Sequence, residues 1–211
     1  MASNGRASSP RNPAAAAEKR RQILAAAVRV FARQGFHTCR VSDIADEAGV
    51  AYGLVYHYFR SKEEVLNTLF LERWNVLLEH IRGVDAQPLS AREKLEAIAA
   101  FIIESYRHDP DLMKVIIVEV TRAANTFGQT HLAEIREAFD LIAAVVGKAQ
   151  EQGEFRTDIS PLFAAMAFYG AIEQVLTGWI FDALPGAPED LDEATRYIVE
   201  TICGGLDNRD R

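Results

Sequence analysis

Residues 41–62 read VSDIADEAGVAYGLVYHYFRSK, a segment that predicts two short helices joined by a tight turn. Ala45 is small enough to let the two helices cross closely, and Gly49 suits the turn between them. The second helix has an apolar packing face made of Val50, either Leu54 or Val55, and Phe59. This pattern is typical of a helix-turn-helix, whose second helix can enter the major groove of DNA.

The outward side of that second helix carries aromatic residues, where surface helices usually carry lysine and glutamate. Their polar tips suit sugars, phosphates and thymine methyl groups. Lys62 falls in the first turn of the next predicted helix, where a phosphate over the helix terminus would make a cation favourable. The alternative is a helix pair with ordinary aromatic packing. The predicted DNA-binding residues are Arg40, Ser42, Ala51, Tyr52, Gly53, Tyr56, His57, Arg60 and Lys62.

The N-terminal third of the chain is basic, although the whole chain is acidic. The formal net charge is −7, but residues 1–62 carry ten Lys and Arg against four Asp and Glu, a net of +6. Residues 63–211 carry thirteen against twenty-six, a net of −13. This division favours DNA binding confined to one end of the molecule, with a chance gradient as the alternative.

Helical periodicity and capping signals continue along nearly the whole chain. Residues 1–17 lack such periodicity, are rich in Ala, Ser, Pro, Asn and Arg, and are predicted to form a disordered arm. Strand-like alternation is absent apart from short ambiguous runs such as Val115–Val118. We therefore predict an all-α fold of about nine helices, with a DNA-binding domain at 18–65 and a ligand-binding and dimerisation domain at 66–211.

Other classes of protein are disfavoured by what the sequence contains. The apolar run Pro161–Phe181 is interrupted by Glu173 after roughly twelve residues, short of the ~20 that a membrane span needs. An N-terminal secretion signal is not visible, and two distant cysteines suit a reducing cytoplasm. The histidines form no HExxH or other metal-ligand spacing, and no glycine-rich phosphate loop follows a strand. We therefore expect no catalytic residue, no metal and no cofactor.

Several motifs in the basic segment point to one family. They are Ile23-Leu-Ala-Ala-Ala-Val-Arg-Val-Phe-Ala-Arg-Gln-Gly35, Ser42-Asp-Ile-Ala45, Ala48-Gly-Val50 and Val55-Tyr-His-Tyr-Phe59 followed by Lys62. Together they resemble the N-terminal domain of the TetR family of bacterial repressors. The resemblance implies a homodimer that binds double-stranded operator DNA and is released by a small ligand in its C-terminal domain. Tyr52 and Leu54 are bulky where many relatives carry small polar residues, so the operator sequence stays open.

The C-terminal part of the chain carries weaker motifs. They are Glu93-Lys-Leu95, His108-Asp-Pro110, Ile117-Val-Glu-Val120 and Gly170-Ala-Ile-Glu-Gln with Thr177-Gly-Trp179. They resemble the fatty-acid-degradation regulators of the family, which implies a long-chain acyl-CoA effector and a role in fatty acid metabolism. Two alternatives stay open: a repressor that senses drug-like or aromatic ligands, and a helical DNA-binding scaffold without a ligand.

Polar residues among the apolar ones of the C-terminal helices mark a candidate ligand site. Buried polar groups require partners, which a ligand could supply. An internal ion pair, such as one between Glu119 and Arg122, is the alternative explanation. The candidate ligand-binding residues are Trp74, Tyr106, Glu119, Arg122, Tyr169 and Glu173.

The last two predicted helices, opening at Pro161 and Leu191, form the candidate dimer interface. The first is apolar on all sides, so it must be covered all round, and one protomer can cover only part of it. Small residues such as Ala164, Gly170 and Gly178 permit close approach of a partner helix. We therefore expect a two-fold four-helix interface, which also matches a palindromic operator.

Overall fold

The computed structural model describes residues 13–120, 131–184 and 191–207, without the side chains of residues 119, 120 and 191. Its elements are α1 (Pro13–Gln34), α2 (Val41–Ala48), α3 (Tyr52–Tyr58), α4 (Lys62–Asp85), α5 (Ala91–His108), α6 (Pro110–Lys114, continued by the π-helical turn Val115–Val120), α7 (Leu132–Glu151), α8 (Pro161–Ile180) and α9 (Leu191–Leu206). The predicted all-α fold with about nine helices is confirmed for these ranges.

The chain divides into two compact units between Asn67 and Thr68. Helix α4 therefore begins in the first unit and continues in the second. The division predicted from the sequence fell between residues 65 and 66, within the first turn of the same helix.

The first helix begins earlier than expected. It starts at Pro13, so the prediction of a disordered arm is wrong for residues 13–17, and residues 1–12 lie outside the described residues. Proline is favourable at the first helical position, and the four alanines that follow are the strongest helix formers. The apolar periodicity that begins at Ile23 could not show this extension, because alanines carry no amphipathic signal.

Helix α2 is joined to α3 by a turn that glycine makes possible. Gly49 ends α2 in the left-handed conformation, with φ of 62°, and Val50 N donates to Ala45 O at 3.0 Å. At the other end α2 begins at Val41, where the Asp43 carboxylate accepts from the Arg40 backbone N–H at 2.8 Å. Ser42 is therefore inside the helix.

In the second unit, charged side chains fix the end of α4 against two other helices. Asp85 accepts from Lys94 Nζ at 3.2 Å and from Lys148 Nζ at 2.6 Å. The two ammonium groups hold the pKa of Asp85 below its ordinary value, and the Lys148 hydrogen bond contributes most. The last turn of α4 is thereby tied to α5 and α7.

The ambiguous run at Val115–Val118 lies in a π-helical turn rather than a strand. All four of its side chains are buried. A helix that buries four consecutive residues has no polar face, so its sequence resembles a buried strand. Single π-helical turns inside α-helices occur frequently at functional sites.

Both cysteines are buried thiols. Cys39 Sγ donates to Phe36 O at 3.3 Å. Burial raises the pKa of Cys203 to about 11. Across the described ranges, no helix has the length and apolar character of a membrane span, and no group of three or more His, Cys, Asp and Glu side chains could hold a metal ion.

Candidate functional site

Helix α3 buries one side and presents aromatic rings on the other. Val55 and Phe59 are 1% and 2% exposed, whereas Tyr52 and Tyr56 are 52% and 44% exposed. The two tyrosine hydroxyl groups share a hydrogen bond of 3.2 Å, and their rings meet edge to face at 5.0 Å. His57 is also exposed. The outward face of α3 is therefore an ordered aromatic surface with polar tips.

The other residues predicted to bind DNA lie around this helix in the same unit. Ala51, Gly53, Arg40 and Arg60 are exposed, and Ser42 is half-buried. Neither Arg40 nor Arg60 forms an ion pair within the described part of the first unit. A methyl group added at Gly53 would meet no atom within 4 Å, so the backbone there is open to a ligand.

Lys62 forms hydrogen bonds with backbone carbonyls of the first unit, whereas the sequence predicted a phosphate partner. Its ammonium group donates to the backbone carbonyls of Phe36 at 2.7 Å, His37 at 3.3 Å and Cys39 at 3.1 Å. It also lies 4.7 Å from the centroid of the Phe36 ring. Lysine has three N–H donors, and all three are used. Lys62 thus anchors the loop between α1 and α2 to the start of α4, and its contact with a phosphate stays a prediction.

Part of the positive charge counted in the sequence is neutralised within the first unit. Glu47 accepts from Arg29 at 2.7 Å and from Arg33 at 3.1 Å, and these hydrogen bonds lower the pKa of Glu47. The guanidinium of Arg20 lies 5.4 Å from the Phe59 ring centroid. These contacts could not be read from charge counts, because the partners are distant in sequence.

A cleft of about 620 Å³ opens in the second unit. Helix α4 contributes Arg73 and His80, α5 contributes Phe101 and Ser105, and α6 contributes Met113. The wall also carries three carboxylates, from Glu104, Asp109 and Asp192. A volume of this order is typical of small-molecule sites.

A second, interior pocket of about 30 Å³ adjoins the cleft. The two cavities share Arg73, Phe101 and Met113 in their walls. The rest of the interior lining is apolar or aromatic and consists of Trp74, Leu77, Ile102, Ile116 and Tyr169. The pocket has about the volume of one water molecule, so in this structure it is closed to any larger ligand.

Two of the predicted ligand residues, Trp74 and Tyr169, line this pocket and pack edge to face against each other. Their ring centroids are 6.0 Å apart, and Trp74 Nε1 donates to Glu134 O at 2.7 Å. The pKa of Tyr169 is raised, chiefly by burial and also by the charge of Glu173.

The remaining predicted ligand residues are not brought to the pocket. Tyr106 packs on Trp179, with ring centroids 5.8 Å apart, and lines neither cavity. Glu173 is half-buried and also absent from both walls. Arg122 lies outside the described residues, as does the side chain of Glu119.

The sequence analysis missed Arg73, which lies on the wall shared by both cavities. Its guanidinium donates to Ser105 Oγ and lies 5.1 Å from the Phe101 ring centroid. The available signal was an arginine next to the apolar stripe of α4, between Phe70 and Trp74. Long cationic side chains beside such a stripe usually lie on the surface, so Arg73 was not predicted to line a ligand site.

Helix α8 leaves an apolar strip uncovered. Phe163 is 67% and Met166 53% exposed, and Gly170 one turn further along is also exposed. A methyl group at Gly170 would meet no atom within 4 Å. Gly178 differs, because a methyl group there would come within 2.5 Å of the Leu184 side chain. The small residues of α8 thus fall into an outward set and a set used for packing within the protomer.

Comparisons with known proteins cover both units. The family model of bacterial regulatory proteins, tetR family, matches residues 23–69, and the tetracyclin repressor-like C-terminal domain matches residues 92–202. The fatty acid metabolism regulator protein of Bacillus subtilis is 28% identical over 189 residues, 89% of this chain and 95% of the relative. The HTH-type transcriptional repressor KstR2 of Rhodococcus jostii is 27% identical over 189 residues, 89% of this chain and 91% of the relative.

A solved structure adds a three-dimensional match. The crystal structure of the transcriptional regulator FadR from Bacillus subtilis in complex with stearoyl-CoA aligns with a TM-score of 0.78. The identity is 26%, and the match covers 88% of this chain and 98% of that chain.

Proposed function

The chain belongs to the TetR family of bacterial regulatory proteins, and we propose that it is a repressor released from a palindromic operator by a long-chain acyl-CoA. Membership makes the chain a DNA-binding transcriptional regulator rather than an enzyme. The resemblance to fatty acid metabolism regulators, predicted from C-terminal motifs, is confirmed by the Bacillus subtilis relative.

The outward face of α3 is the observation that carries the DNA-binding part of the proposal. Tyr52, Tyr56 and His57 are exposed together, while Val55 and Phe59 hold the helix from behind. In a helix-turn-helix this face enters the major groove, and side chains around it contact phosphates. Arg40 and Arg60 are the cations best placed for phosphates, because no ion pair within the described part of the first unit engages them.

The ligand part rests on the two adjoining cavities and on the stearoyl-CoA complex of the relative. The open cleft gives access from solvent, and the apolar interior pocket suits an alkyl chain. Because that pocket is nearly closed, a chain can enter only by displacing its walls, which include Trp74 and Leu77 of α4. A ligand that binds an opened form better than the closed form shifts the equilibrium between them. Displacement of α4 is the proposed link to DNA release.

One observation favours a second candidate function. Glu104, Asp109 and Asp192 line the cleft near the aromatic ring of Phe101. Carboxylates beside an aromatic face suit a cationic, drug-like ligand. The alternative is therefore a repressor that senses such compounds.

A release assay separates these candidates. Operator fragments are selected from genomic DNA with the purified protein, and their binding is followed by fluorescence anisotropy. Palmitoyl-CoA is expected to weaken binding at least about tenfold, which corresponds to about 1.4 kcal/mol of coupling. Free CoA and acetyl-CoA are the matched controls and should have no effect, because they lack the alkyl chain. Release by tetraphenylphosphonium, an aromatic cation that does not intercalate into DNA, but not by palmitoyl-CoA would overturn the lipid proposal and support the cationic one.

The homodimer is proposed to form through α8 and α9. The strip at Phe163, Met166 and Gly170 supplies apolar area and room for close approach of a partner helix. On α9, Tyr197 is 52% exposed and Gly204 is exposed with open space around its Cα. A two-fold interface uses the same strip from both protomers.

Replacing Phe163 by glutamate should convert the dimer to a monomer at micromolar concentration. A charge placed at the centre of an apolar interface is left without a partner when the interface forms. Sedimentation velocity measures the outcome, and Leu132→Glu, an exposed apolar position on α7, is the matched control that should stay dimeric. If the Phe163→Glu variant remained dimeric, the interface would lie elsewhere.

A further inference from the structure

The wall shared by the cleft and the interior pocket holds a guanidinium with unused hydrogen-bond donors. Burial lowers the pKa of Arg73 and the charge of Asp109 opposes that shift, but within the described ranges no carboxylate forms an ion pair with Arg73. One N–H donates to Ser105 Oγ, and no other acceptor among the described residues takes a hydrogen bond from it. Arginine has five N–H donors, so a half-buried guanidinium with one acceptor has donors to spare.

The orientation of that guanidinium is fixed from two sides. Ser105 Oγ accepts from Arg73 while its own hydroxyl donates to Phe101 O at 2.6 Å. The plane of the cation also rests 5.1 Å from the centroid of the Phe101 ring. A guanidinium held in this way loses little further entropy on binding an acceptor. Ser105 and Phe101 therefore act as positioning residues for Arg73.

The surrounding chemistry indicates what kind of acceptor fits. The interior side of Arg73 meets the apolar lining at Trp74 and Ile102, and the cleft side carries Glu104, Asp109 and Asp192. Those three carboxylates oppose a cluster of phosphates in the cleft. A ligand that suits these surroundings needs an apolar chain for the interior pocket and no cluster of phosphates in the cleft. A single carbonyl or carboxylate at the end of an alkyl chain fits, because it presents one acceptor to Arg73 and its chain to the interior pocket.

We propose that Arg73 binds the acyl carbonyl of the effector, with the alkyl chain in the interior pocket and any nucleotide portion outside the carboxylate-lined cleft. This inference rests on the proposed function, which requires a long-chain acyl ligand. The recognised chemistry is shared by a CoA thioester and a free fatty acid.

Direct binding to the full-length protein tests the inference. Isothermal titration compares palmitoyl-CoA, palmitate and S-hexadecyl-CoA, a thioether with the same chain length and nucleotide but no carbonyl. Replacing Arg73 by methionine should weaken palmitoyl-CoA and palmitate about tenfold or more, since hydrogen bonds to charged groups contribute about 1.5–3 kcal/mol. Binding of S-hexadecyl-CoA should change little, because it offers Arg73 no carbonyl. Which of palmitoyl-CoA and palmitate binds the wild type more tightly identifies the source of the carbonyl.

Matched variants separate recognition from folding. Arg136→Met removes an exposed cation of α7 that is paired with Asp140, and it should leave all three affinities unchanged. If Arg73→Met fails to fold, Ser105→Ala tests the same point by releasing the guanidinium, with an expected loss of a few-fold for the two carbonyl ligands alone. Equal binding of carbonyl ligands by wild type and variant would overturn the inference while leaving the lipid function intact. Failure of the wild type to bind any of the three would overturn both.

Discussion

Replacing Lys62 by methionine is expected to lower the stability of the first unit by about 2 kcal/mol or more. Methionine keeps the length of the side chain but leaves the carbonyls of Phe36, His37 and Cys39 without the donor they share. Hydrogen–deuterium exchange over residues 35–48 should therefore accelerate. Both tryptophans lie in the second unit, so their fluorescence does not report on this region.

Arg40→Met is the matched control for a phosphate contact. Arg40 is exposed and forms no ion pair within the described part of the first unit, so its loss should spare stability and reduce the salt slope of DNA binding by about 1. Lys62→Met should lower operator affinity through the damaged loop, without that change in slope. Normal exchange protection together with a reduced slope would show that Lys62 contacts DNA instead.

Replacing Tyr56 by alanine is expected to lower operator affinity by about ten- to a hundredfold. The ring and hydroxyl are exposed on α3, and their loss also leaves Tyr52 without its hydrogen-bond partner. Because Tyr56 is 44% exposed, the free energy of unfolding should change little. Fluorescence anisotropy with the selected operator gives the affinity, and urea unfolding gives the stability.

Tyr56→Phe divides this effect between the ring and the hydroxyl group. Near-normal affinity would assign the contact to the ring, and a loss as large as that of alanine would assign it to the hydroxyl. An alanine variant that binds the operator like the wild type would rule out the outward face of α3 as the DNA-binding surface.

The fold was largely predictable, because local patterns carry it. The periodicity of α4, the Ser90 cap of α5 and the proline that opens α8 each depend on residues a few positions apart. The start of α1 was missed because a run of alanines has helix propensity without amphipathic pattern. The π-helical turn was missed because its four buried residues match a strand and a helix equally well.

The candidate sites were less predictable, because they depend on contacts between distant segments. The face of α3 was only partly assigned from spacing, because either Leu54 or Val55 could have faced inward with Phe59; the structure buries Val55. The partners of Lys62 lie 23 to 26 residues away, and Ser105 lies 32 residues from Arg73. No local pattern links residues so separated, so the sequence could not show that the fold gives Lys62 three carbonyl partners.

The burial of both thiols determines whether an acyl thioester could react covalently with this protein. Acyl thioesters transfer their acyl group to thiolates, and the raised pKa of Cys203 leaves almost no thiolate at neutral pH. Cys39 is sealed from solvent, with 2% of its surface exposed. Under the proposed function, an acyl-CoA effector is therefore expected to bind without acylating either cysteine. Repression is then expected to follow the present concentration of the effector rather than the accumulated exposure to it.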